Sequence, residues 1–212
     1  QLTGTSNYLD YSQFNMSATR SSGTYTQLNT RVLGNLKTIR DYAAANEEWG
    51  TYLAATVLRA FTYQVLVDCY EQVPYTEAMN TAYPSPKYDD GLTVYQGVIA
   101  EIDDALAKAS ESDLVCNNFL FPSAGAQEWV RFANALKLKM YMRISGVADV
   151  QSAVDALVAE GNFPTSDVAW MGCWTDEGGK ANPYFSEEFG SYTSVQKNVS
   201  LNLALQGTMS FY

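Results

Sequence analysis

The chain contains no histidine. The side chain used most often as a general base and as a metal ligand is therefore missing. Cysteine is scarce as well: Cys69, Cys116 and Cys173 are an odd set with no CxxC spacing. That pattern argues against a paired-cysteine zinc site and leaves room for at most one disulfide. Acidic residues outnumber basic ones 23 to 13, a net charge of −10. Without clustered lysine and arginine the chain has no electrostatic grip on phosphates, which argues against nucleic acid as a partner. No uninterrupted run of about 18 apolar residues occurs, so no membrane-spanning helix is expected. The opening QLTGTSNYLD is not a secretory leader and reads as a mature or trimmed start. At the other end, LNLALQGTMSFY stays apolar to the last position, as an interrupted fold would.

Hydrophobic residues make up 47% of the 212 positions and charged residues 17%, so a buried core is expected. There are 15 tyrosines, 9 phenylalanines and 4 tryptophans, many for an acidic protein. Most belong in a core. A sugar-binding surface also draws on such rings, because an aromatic face packs against the C–H face of a sugar.

Residues 1–26 lack helical periodicity and read as a loop anchored by Tyr8, Tyr11, Phe14 and Tyr25. Gln27–Ala45 is the first expected helix, with Val32, Leu36, Ile39 and Ala43 inward and Arg31, Lys37, Arg40 and Asp41 outward or sideways. The segment from Trp49 is the longest apolar helix. Ala54, Leu58, Phe61, Val65 and Cys69 recur on one stripe, while Tyr52, Tyr63, Val67 and Tyr70 lie off it. Cys69 on that stripe reads as a buried thiol. Pro74 disfavours helix at Val73, so the helix should end between Tyr70 and Gln72. The short link at Asn46–Gly50 makes these two helices antiparallel neighbours.

Pro74–Asp90 is a proline-stiffened loop, and Asp89 or Asp90 caps the helix Leu92–Ser110. Tyr95, Val98, Ile99, Ile102, Leu106 and Ala109 face inward there; Gln96, Glu101, Asp103, Asp104 and Lys108 face water. Adjacent acids on a helix diverge, so Glu101, Asp103 and Asp104 read as a solvated face rather than a metal site. Phe119, Leu120 and Phe121 are tucked into the next loop. Gln127–Ile144 carries the stripe Trp129, Phe132, Ala133, Leu136, Met140 and Ile144 and is the most basic element. Asp149 caps a fifth helix, Val150–Glu160, which Gly161 stops. Residues 164–200 hold glycines, Pro183 and two tryptophans without helical period; Val199–Phe211 is compatible with a restarted helix. The predicted fold class is all-α. Stacked helix pairs over 27–160 form a tetratricopeptide-like α-α superhelix within one domain, although the strict repeat of about 34 residues is absent.

Three ordered blocks resemble the SusD/RagB family of Bacteroidetes nutrient-binding lipoproteins. LAATVLRAFTYQVLVDCYEQVPYTEA, with Arg59, Ala60, Leu66, Val67, Asp68, Tyr70, Val73, Pro74, Tyr75, Glu77 and Ala78, is similar to the family's long helix and Val-Pro-Tyr turn. Glu71 and Gln72 stand where the family usually has glycine. PKYDDGLTVYQGVIAEIDDAL resembles the Tyr-Asp segment and the helix after it, and WVRFANALKLKMYMRIS resembles the Trp-x-Lys/Arg-Phe-Ala-Asn helix, with Asn182-Pro183 beyond. Family chains are longer, so the resemblance covers an N-terminal portion. It implies an all-helical scaffold docked on a TonB-dependent outer-membrane transporter of the SusC kind. It also implies oligosaccharide or glycopeptide capture at the extracellular face of the outer membrane, with no reaction and no cofactor. The family's lipid anchor sits on an N-terminal cysteine, and no cysteine precedes Cys69 here.

Trp170, Trp174, Tyr83 and Tyr11 lie in loops rather than on helical stripes and are the candidate sugar-stacking residues. A second reading is a helical scaffold that docks on the transporter without touching the sugar. A glycosidase would need two opposed carboxylates. The pairs Glu187/Glu188 and Asp176/Glu177 are sequence neighbours, and no nucleophile–base set is visible without histidine.

Overall fold

A computed structural model describes residues 15, 17, 19–109, 118–121, 125–169, 174, 175, 177 and 179–182. The chain divides into two compact units, one made of Gly23–Trp170 and the other of Gln1–Ser22 with Met171–Tyr212.

The larger unit is helical. A rod begins with α1 (Ser22–Thr26), widens into a π-helical segment (Gln27–Leu33) and continues as α2 (Gly34–Ala45). Then come α3 (Trp49–Tyr70), α4 (Gly91–Ala109), α5 (Ala126–Ile144) and α6 (Gln151–Glu160). Among the described residues the only β pairing is one antiparallel bridge, Val73 with Asp89. None of the described helices is long and apolar enough to cross a membrane.

The middle helix α3 organises the rest, packing against α2, α4 and α5. Its neighbours α2 and α4 run antiparallel to it. Arg40 near the end of α2 reaches Tyr52 near the start of α3, and Lys108 near the end of α4 lies over Trp49 and Tyr52. Parallel to α3 runs α5, whose Lys139 covers Phe61 and whose Arg143 pairs with Asp68. Leu53, Val57, Ala60, Tyr63 and Leu66 of α3 form the core with Val94, Val98 and Ile102 of α4 and Ala133, Leu136 and Met140 of α5. This is the expected all-helical, paired arrangement.

Three helix faces differ from the pattern read in the sequence. On α3 the stripe Ala54, Leu58, Phe61, Val65 and Cys69 divides: Ala54 is buried and Val65 half-buried, but Leu58 is 38% and Phe61 40% exposed, and Cys69 is exposed rather than a buried thiol. The helix is apolar on nearly every side, so periodicity alone does not select the face; the docking of α4 and α5 does. In the first rod, Leu33 replaces Val32 in the core and Ile39 is exposed. A π turn takes more residues per turn than an α turn, which moves the inward position from 32 to 33. Leu28 and Leu33, five residues apart, then share the inner face. Arg40, expected to look outward or sideways, pairs with Glu101. Glu101 correspondingly leaves the solvated face of α4, while Asp103 and Asp104 stay on it, paired with Lys137 and Lys108.

The punctuation of the helices follows the local chemistry. Asp90 caps α4, accepting from the Thr93 amide at 2.9 Å and the Thr93 hydroxyl at 2.6 Å. After α6, Gly161 takes φ +66°, and its amide bonds the Leu157 carbonyl at 3.3 Å. Asp149 accepts from the Gln151 amide at the start of α6 at 3.4 Å. Leu120 and Phe121 pack on the core, with Phe121 edge-on to Trp129, but Phe119 is 63% exposed instead of tucked in.

In the smaller unit the described residues include a turn. Thr175 and Lys180 are joined by the Thr175 amide and the Lys180 carbonyl at 3.1 Å, and Gly179 takes φ +80° inside it.

Candidate functional site

The proline-rich segment between α3 and α4 is a closed loop. Val73 and Asp89 exchange both backbone hydrogen bonds, at 3.2 and 3.0 Å, so its two ends meet. Asp89 is buried at the neck. Its carboxylate accepts the Tyr75 amide at 3.2 Å, the Thr76 amide at 2.8 Å and the Thr76 hydroxyl at 2.9 Å. Lys87 stands 3.6 Å away. Burial alone would raise the pKa of this carboxyl; the Thr76 and Tyr75 donors and the Lys87 charge outweigh it and hold the group below its ordinary value.

Further out, Glu77 accepts the Lys87 amide at 2.9 Å across the loop. Asn80 accepts the Ala82 amide on its side chain at 3.0 Å and the Tyr83 amide on its carbonyl at 2.9 Å, an Asx turn. Pro74, Pro84 and Pro86 fix three further φ angles. The loop is thus tied across its neck, its middle and its tip. It displays two rings to water: Tyr83 is 47% and Tyr88 60% exposed. Tyr25 stands edge-on to Tyr70 with centroids 5.0 Å apart. Burial first, and then Tyr88, raise the Tyr25 pKa, so the Tyr25 phenol stays protonated.

Beneath the loop lies a half-buried charge cluster. Glu101 on α4 receives Arg59 of α3 through Nε at 2.9 Å and Nη2 at 3.2 Å, and Arg40 of α2 at 2.9 Å. The Tyr75 hydroxyl donates to the same carboxylate at 2.7 Å. Arg59 also lies over the Tyr63 ring at 4.6 Å. Burial opposes the charge of Glu101, but Arg59, Arg40 and Tyr75 prevail and lower its pKa. The Tyr75 pKa rises, through burial first and then the adjacent carboxylate.

Of the four aromatic residues read from the sequence, Tyr83 stands exposed on this loop. Trp174 is half-buried in the smaller unit, just before the 175–180 turn. Tyr11 and Trp170 lie outside the described residues. Sequence reasoning passed over Tyr88, whose signal was available: a ring between two prolines and a helix-capping acid pair. The roles of Glu101 and Arg40 had no such signal, because their partners come from other helices.

A model described as starch-binding, associating with the outer membrane, matches residues 1–200. The chain belongs to the SusD-like family. Its fold is that of solved SusD-like proteins. A SusD/RagB family protein of Bacteroides thetaiotaomicron superposes with a TM-score of 0.67 at 22% identity, over 81% of this chain and 37% of that one. A SusD homologue of Bacteroides uniformis gives 0.64 at 24% identity, over 78% of this chain and 34% of that one. A chitin-binding protein gives 0.61 at 22% identity, over 74% of this chain and 34% of that one. This SusD-like chain therefore spans little more than a third of the length of the structures it resembles. No curated protein matches its sequence.

Proposed function

We propose that the chain is part of a non-catalytic surface protein that captures a glycan and delivers it to a TonB-dependent transporter of the outer membrane. Lipid anchoring on the extracellular face belongs to the same proposal. The observation that carries it is the tied loop with Tyr83 and Tyr88 facing water. A ring held in place before the ligand arrives loses little entropy on binding, and tyrosine has only two side-chain torsions to fix. Family membership supports the choice of glycan as the ligand. Trp174, Trp170 and Tyr11 are proposed, each on its own, as further stacking residues. The reading involves no metal, cofactor or nucleic acid.

Calorimetric titration with maltoheptaose, chitohexaose and xylohexaose tests it. One of these should bind, and Tyr83→Ala and Tyr88→Ala should each weaken that affinity about tenfold, as loss of a binding hot spot does. The same titration with Trp174→Ala, Trp170→Ala and Tyr11→Ala assigns the remaining three. No binding of any sugar by the wild-type chain, or unchanged affinity in all five variants, refutes the stacking site.

A second reading is that this portion docks on the transporter without touching sugar. The outward Leu58 and Phe61 on α3 favour it, since adjacent exposed apolar side chains mark contact surfaces. It requires co-purification with a β-barrel partner and no heat with any sugar.

A further inference from the structure

We propose that Tyr75 and Glu101 are positioning residues, transmitting the arrangement of three helices to the aromatic loop. The consequence for sugar affinity rests on the glycan reading above; the consequence for the loop does not.

Tyr75 is held at both of its ends. Its backbone amide is bound to Asp89 at the neck of the loop. Its side chain leaves the loop and enters the helical body. There the ring stands edge-on to Tyr63, with centroids 5.1 Å apart, and its hydroxyl donates to Glu101. The ring also lies against Gly97 on α4. A Cβ at that glycine would sit 2.4 Å from the Tyr75 ring, so the absence of a side chain at 97 is part of the fit. Glu101 is itself fixed from two directions, by Arg59 on α3 and Arg40 on α2. One carboxylate thus joins α2, α3, α4 and the loop.

A half-buried ionic cluster of this kind is a poor source of stability, because desolvation cancels much of the attraction. What it supplies is direction: a bidentate guanidinium and a phenol can meet one carboxylate in few arrangements. The loop leaves α3 at Tyr70, three residues before Val73 pairs with Asp89, and Tyr75 is the next side chain after Val73 that reaches into the body. Displacing its hydroxyl frees the loop to tilt about its neck while the helices stay packed.

Hydrogen exchange read peptide by peptide, on the full chain, tests this without a ligand. Tyr75→Phe keeps the ring and removes only the hydroxyl. Exchange in the 76–88 segment should accelerate about tenfold, the size of one lost hydrogen bond to a charged group, while α3 and α4 remain unchanged. Glu101→Gln should act on the same segment more strongly, and Gly97→Ala should reproduce the effect by pushing the ring. If Glu101→Gln fails to fold, Tyr75→Phe and Gly97→Ala still decide the matter. Unaltered exchange at 76–88, or acceleration spread evenly over the helices, overturns the proposal. With the sugar that binds the wild-type chain, Tyr75→Phe should weaken affinity several-fold, with only the fall of a few degrees in melting temperature that one lost hydrogen bond brings. A chain that binds no sugar but shows the local acceleration removes the glycan reading and upholds the positioning role.

Discussion

The carboxylate of Asp89 and the backbone amide of Thr76 meet 2.8 Å apart at the neck of the loop, although thirteen residues separate them. The same carboxylate serves the Tyr75 amide and the Thr76 hydroxyl, and Asp89 is only 7% exposed. Asp89→Ala strands these donors and should cost about 2–3 kcal/mol in urea unfolding. Asp89→Asn retains one acceptor oxygen and should cost less. Equal stability of all three proteins refutes the assignment.

Acid should destabilise the protein through Asp89 and Glu101. Both have folded-state pKa values below their ordinary ones, because Thr76, Tyr75 and Lys87 around the first, and Arg59, Arg40 and Tyr75 around the second, outweigh burial. The unfolded chain therefore takes up protons at a higher pH than the folded one. This stability is fully present above the unfolded carboxylate range of about pH 4 and drains away as pH falls through the lower folded values. With no histidine in the chain, the urea midpoint should be nearly flat from about pH 5.5 to 7.5. Urea midpoints across pH 2–8 check both statements.

Glu71 ends α3 with φ +65° and ψ −55°, and the Gln72 amide bonds the Tyr70 carbonyl at 2.7 Å. This is the γ-turn geometry that strains any residue with a Cβ. Glu71→Gly should stabilise the chain by about 1 kcal/mol despite the greater freedom of glycine when unfolded. Glu71→Ala keeps the strain and should leave the melting temperature unchanged. A destabilised Glu71→Gly would show that the carboxylate has a role the turn does not reveal.

At the other end of the loop, Gly91 opens α4 against the last turn of α3. A Cβ there would lie 2.8 Å from Val67 Cγ1 and 3.1 Å from the Glu71 carbonyl oxygen. Gly91→Ala should cost about 1–3 kcal/mol by overpacking. Val67→Ala relieves only the side-chain part, so the double variant should recover part of the loss. Full recovery would mean that the backbone contact is harmless.

The helices themselves were legible because their signals are local. Pro74 and the amide it lacks stop α3 near Tyr70, Asp90 meets free amides three residues on, and Gly161 accepts a left-handed conformation. The inward face of α5 was legible too, since Trp129, Ala133, Leu136, Met140 and Ile144 alternate with charged residues. On α3 no such contrast exists, and Phe61 and Tyr63 look equivalent until neighbouring helices dock. The candidate site was half legible. Tyr83 could be found as a ring among prolines, but Glu101 looked like one more solvated acid, because Arg40 and Arg59 reach it from other helices.

The order of residues alone decided that this chain is helical, where its helices start and stop, and that a stiff, tyrosine-bearing loop interrupts them. Those properties depend on backbone hydrogen bonding, proline geometry and apolar spacing within a few turns. Only the tertiary structure decided which side of α3 is core, and that Tyr75 reaches one carboxylate shared by two arginines. Such choices depend on desolvation and on partners supplied by distant segments, which no local pattern contains.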